Sequence, residues 1–131
     1  GVRLNAGKVA LIDCTINYCG GGSESNCVSC HSGNVVIVNG EFSHTTGRPL
    51  HDVSTGKSWY LGAYAHHGAY PTYSNFYASQ QSGTDHETWC DQCRSSDSGY
   101  DYGAILPSAM HKHNCTGDAT DLGNGVDTYD Y

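Results

Sequence analysis

A chain of 131 residues fits one domain, because dividing it would leave neither half enough interior to fold around. Val, Leu, Ile and Phe supply only 20 of the 131 residues and the formal charge is −7, a balance that works against an aliphatic core and against binding to nucleic acid. No apolar run approaches the roughly 18 to 20 residues of a membrane-spanning helix, which excludes that class. Support is expected instead from ten tyrosines, two tryptophans, seven cysteines and eight histidines, which bury rings, form disulfides or bind metal.

In chain order, Gly7 to Asn17 reads as a strand carrying Val9, Leu11, Ile12, Thr15 and Ile16, and Gly20 to Asn26 as a loop leading into Cys27. Residues 34–40, Asn-Val-Val-Ile-Val-Asn-Gly, make the clearest strand, β-branched and ended by an Asn-Gly turn signal. Phe42 to Tyr77 lacks periodicity and reads as mostly loop, with short strands around Ser58 to Tyr64. Gln80 to Asp101 is polar and turn-rich. Ala104 to His113 suits a short helix or turn with Pro107 at its first position, and Gly117 to Tyr131 is an acidic, turn-like tail. No repeat of fixed period and no linker is visible. The expected fold is mainly β with extensive irregular loops, a small single domain over residues 1–131.

Cys27-Val28-Ser29-Cys30-His31 is the most specific pattern in the chain. Two cysteines at this spacing suit covalent attachment of a haem through thioethers, and the histidine that follows suits ligation of its iron. A bare Cys-x-x-Cys is far less specific; the histidine gives the pattern its weight. The same residues also admit a tight Cys27–Cys30 disulfide, or half of a zinc site completed by Cys90 and Cys93. Over these five residues the chain resembles c-type cytochromes. The resemblance implies haem c, with thioether bonds at Cys27 and Cys30 and His31 as the proximal ligand. It does not extend to the helices and late methionine of the small cytochromes, and the nearer likeness is to loop-rich extracytoplasmic cytochromes with two axial histidines. Candidates for the second ligand are His44, His51, His66, His67, His86, His111, His113 and Met110. His66 and His67 come first, because residues 63–68, Ala-Tyr-Ala-His-His-Gly, set imidazoles among small and aromatic neighbours; His111 and His113 come next.

Cys90-Asp91-Gln92-Cys93 is followed by Arg94 and lacks the ligand position. Once haem takes Cys27 and Cys30, an odd five cysteines remain: Cys14, Cys19, Cys90, Cys93 and Cys115. One is then free, bound to metal or bridged to another chain, and the others staple the domain with a connectivity that stays open. Asp118 to Asp127 spaces oxygens as calcium loops do without matching the EF-hand pattern, and reads as a solvated tail. Cysteine density and a first residue other than Met suit a processed, exported chain, periplasmic or extracellular. The expected function is electron transfer by one haem c, with redox partners that present basic surfaces and with self-association open. The rival is a disulfide-stabilised secreted binding or structural module, filament-forming in one version, with zinc or no cofactor. No nucleophile sits in a recognisable elbow, so the chain does not read as an enzyme.

Overall fold

The computed structural model describes residues 1–22, 25–53, 55–69, 74–79 and 87–129. Strands β1 (Val2–Leu4), β4 (Val28–Cys30), β7 (Leu50–Val53), β10 (Ser74–Ser79) and β13 (Tyr100–Ala104) stack into a first sheet. A second contains β2 (Lys8–Ile12), β5 (Asn34–Val38), β8 (Lys57–Leu61), β11 (Glu87–Asp91), β14 (Ala109–His113) and β15 (Val126–Thr128). The third holds β3 (Thr15–Cys19), β6 (Glu41–Thr45), β9 (Tyr64–His66) and β12 (Arg94–Ser96). The chain visits the three sheets in rotation with every pairing parallel, and so winds a β-solenoid of about four turns.

In-register columns build the interior. Val2, Val28, Leu50, Phe76 and Tyr102 follow one another through the first sheet, and Leu11, Ile37, Tyr60 and Cys90 through the second. Strand alternation sends their neighbours outward: along β2, Val9 and Leu11 are partly covered while Lys8, Ala10 and Ile12 are exposed. The narrow cross-section explains how so few aliphatic residues suffice, since each buried side chain packs on the ones above and below. Phe76 and Tyr102 stack at 4.8 Å between centroids. Outside, Trp59 and Trp89 stack at 5.1 Å with planes 4° apart.

The strand expected from Gly7 to Asn17 is two strands, because Asp13, at φ 53°, turns a corner between them. Asn39 at 57°, Gly62 at 69°, Gln92 at 53° and Asn114 at 52° turn the same corner in later coils. The Asn39-Gly40 signal thus marks a corner between parallel strands, not a hairpin. The stretch from 42 to 77, expected as mostly loop, holds β6 to β9 and most of β10. Ala104 to His113 contains no helix; Ala109–His113 is a strand, since Met110 must face the core while His111 faces out. No helix among the described residues is long and apolar enough to cross a membrane.

Candidate metal centre

A second corner, at the outer end of the third sheet, is also turned by left-handed residues: Tyr18 at φ 53°, His44 at 53°, His67 at 50° and Asp97 at 53°. Ser43 pairs with His66 across β6 and β9, which sets His44 beside His67 one coil later. Their rings stack at 4.4 Å with planes 9° apart, and Tyr18 stacks on the other face of His44 at 4.7 Å. His66 completes the group from the end of β9. It is 7% exposed, held between the Tyr64 ring at 4.4 Å and the edge of His44 at 5.4 Å. Arg94 lies over the far face of Tyr64, 3.8 Å from the ring centroid.

Hydrogen bonds fix the proton on His66. Its Nε2 lies 2.6 Å from Glu41 Oε1, and because a carboxylate only accepts, Nε2 carries a hydrogen; in the neutral ring that leaves Nδ1 its lone pair. That Nδ1 faces His67 Nδ1 at 2.6 Å. His44 Nδ1 lies 2.9 Å from Ser43 Oγ. One ligand nitrogen from each of the three histidines falls within 4.8 Å of the others. A tetrahedral ion with metal–nitrogen bonds of about 2.0–2.1 Å needs nitrogens about 3.4 Å apart, so the His66 and His67 nitrogens, 2.6 Å apart, would have to open to admit one. Asp97 Oδ2 lies 4.0 Å from His67 Nδ1 and accepts from Ser96 Oγ at 3.0 Å. A histidine that binds through one nitrogen and donates from the other to a carboxylate is the usual outer-shell arrangement of metal sites.

The haem-attachment pattern lies elsewhere. Cys27 and Cys30 are 0% and 1% exposed, turned inward from β4, which is hydrogen-bonded between β1 and β7. Burial pushes the Cys27 thiol up to about 12, helped by the neighbouring Cys19, and the Cys30 thiol up to about 11, helped by Asp52. Cys27 donates to the Ser43 carbonyl at 3.5 Å. His31 instead lines an outer cleft of about 360 Å³ with Arg3, Asn26, Ser29, His51 and Val53, where burial and Arg3 lower its pKa. Sulfurs inside the coil and an imidazole outside it do not fit a haem, which needs all three on one accessible side.

The other candidates are dispersed. His111 Nδ1 lies 2.8 Å from Asp127 Oδ1 on the second sheet, and His113 Nδ1 3.2 Å from Asp91 Oδ1. His51 Nε2 lies 2.7 Å from Ser79 Oγ, Met110 is buried in the core, and His86 lies outside the described residues. The tail carboxylates are engaged separately, Asp121 with Lys112 at 2.5 Å and Asp127 with His111, and among the described residues they gather into no group of three donors. Sequence reading favoured His66 and His67, kept His44 only as one of many, and passed over Glu41 and Tyr18. The signal that joins them is the 23-residue step from Ser43 to His66, which also carries His44 to His67.

No protein-family model, curated protein or solved structure matches this chain.

Proposed function

We propose that this chain is an extracytoplasmic, cysteine-rich solenoid module that binds a divalent transition metal through His44, His66 and His67, with Glu41 orienting His66. The carrying observation is that one nitrogen from each of His44, His66 and His67 lies within 4.8 Å of the others, with His66 held from its far side by Glu41 at 2.6 Å. The Nδ1 atoms of His66 and His67, 2.6 Å apart, share a hydrogen in the metal-free site, and an ion that displaces it would move them apart to its own ligand spacing. Imidazole donors favour zinc, copper or nickel over calcium and magnesium. The reading belongs with the haem-free binding module expected as the rival; the inward sulfurs of Cys27 and Cys30 weigh against the electron carrier.

Titration calorimetry with Zn²⁺ is expected to give one ion per chain. Glu41→Gln should weaken binding about 10- to 100-fold, and the double change His66→Ala with His67→Ala should abolish it. A folded chain that takes up no zinc overturns the proposal. The electron-carrier reading is answered on the same preparation. A Soret band that stays with the polypeptide after acid-acetone extraction would establish covalent haem, and a colourless chain from a host competent in cytochrome maturation rejects it.

A further inference from the structure

Cys93 and Cys115 meet at the corner between the second and third sheets, and the register on either side fixes how. Asp91 pairs with His113 before the corner and Arg94 bridges to Thr116 after it. Both steps are 22 residues, so Cys115 lies directly over Cys93, and the Thr116 N–H donates to the Cys93 carbonyl at 3.0 Å. Neighbouring strands run about 4.7–4.9 Å apart, inside the Cα separation of about 4.4–6.8 Å that a disulfide spans. By the same register this column holds Cys14, Gly40 and Ala63 in the earlier coils. Only its last step sets one cysteine on another.

Cys90 is close but differently placed. It belongs to the column of Leu11, Ile37 and Tyr60, with Lys112 next. What it presents to Cys115 is its backbone: the Cys115 thiol donates to the Cys90 carbonyl at 3.3 Å. The Cys93 thiol donates to the Tyr60 carbonyl at 3.2 Å. Cys93 is 1% exposed and Cys115 is half-buried, so an external reagent reaches Cys115 first. Hydrogen bonding with Cys93 and burial raise the Cys115 pKa, so the reduced corner reacts slowly without a matched oxidant.

We propose that Cys93 and Cys115 are joined by a disulfide that clasps the last coil to the one beneath it. An oxidised disulfide carrier, a thiol–disulfide oxidoreductase or oxidised glutathione, is attacked by Cys115 to give a mixed disulfide and release one carrier thiol. Cys93 then displaces the second carrier sulfur. The two cysteine thiols lose two protons and two electrons, and the carrier's S–S bond is reduced to two thiols. Cys90 stays reduced beside the bond, in the core. The pairing does not rest on the metal reading, because no cysteine belongs to the histidine cluster.

The test is peptide mapping of the whole chain after oxidation with oxidised glutathione and alkylation of the remaining thiols. Trypsin cuts after Arg94 and Lys112, separating the peptide that carries Cys90 and Cys93 from the one that carries Cys115. The two are expected to be linked, with the link kept in Cys90→Ser and lost in Cys93→Ser. Reduction of the oxidised parent should lower Tm by about 10 °C, a shift that Cys115→Ser should not show. Recovery of Cys115 alkylated from the oxidised, folded parent, or joined to any cysteine but Cys93, overturns the assignment.

Discussion

His44 and His67 hold φ angles of 53° and 50°, where a residue other than glycine costs about 1 to 2 kcal/mol. Gly62 turns the neighbouring corner at 69° without that cost, while Tyr18 and Asp97 share the histidines' angle in the same corner, so the strain belongs to the turn whichever residue stands there. His67→Gly is expected to be more stable than His67→Ala by about 1 kcal/mol in metal-free urea denaturation, and zinc should stabilise neither variant as it does the parent. Equal stabilities would remove the strain argument. Asp52 offers a second residue-scale test. It is fully buried and accepts hydrogen bonds from Ser58 and Thr88, and burial raises its pKa from 3.8 to about 7. The folded state therefore holds a proton that the unfolded chain releases above about pH 4. Stability from this group is full below that pH, falls as pH rises to about 7, and is level beyond, a span of up to about 4 kcal/mol. Asp52→Asn mimics the protonated acid. It should match the parent near pH 4 and exceed it near pH 8, and an identical pH profile for both chains would refute the assignment.

Among the elements, Asn34–Val38 was legible because Val35, Val36, Ile37 and Val38 favour an extended backbone whatever surrounds them. β6, β7 and β9 were not. Their buried residues include Ser43, His51, Asp52 and His66, polar side chains covered by neighbouring residues on both faces of the strand, so hydrophobic alternation fails within each strand. The Asn39-Gly40 signal was read correctly as a turn, but a turn signal alone does not say that it is a solenoid corner, since corner and hairpin use the same left-handed residues. One such corner is tightly specified. At Gly33, φ 92°, an added Cβ would lie 2.2 Å from the Gly7 carbonyl oxygen. Gly33→Ala is expected to destabilise by about 3 kcal/mol, read as a drop in the urea midpoint; a change under 1 kcal/mol would mean that the two coils separate there easily.

For the molecule as a whole, the β class was readable from its β-branched segments, whereas the solenoid was hidden by its uneven step. Leu11 to Ile37 is 26 residues, Ile37 to Tyr60 is 23, Tyr60 to Cys90 is 30 and Cys90 to Lys112 is 22. A search at fixed period cannot align these, because the strands keep register while the connections between them vary in length. The same blindness scattered the site: Glu41 and His66 are 25 residues apart in the chain and 2.6 Å apart in space. The Cys27-to-His31 pattern likewise gave no hint of its setting, since spacing alone does not show that Val28–Cys30 is a buried strand between two coils. Zinc affinity should fall from about pH 8 to about pH 5 as protons displace the ion from the imidazoles; calorimetry at the two values that gave equal affinities would exclude a histidine site.

His44 belongs to one coil, and His66 and His67 to the next. A stack of coils comes apart at its interfaces, each depending only on its neighbours, so an ion held by these three residues acts as a rivet through a single seam. Its grip would be uneven along the axis, strongest where β6 lies on β9 and fading toward either end. A metal-loaded chain under tension should then yield from its ends inward, with the riveted seam the last to open.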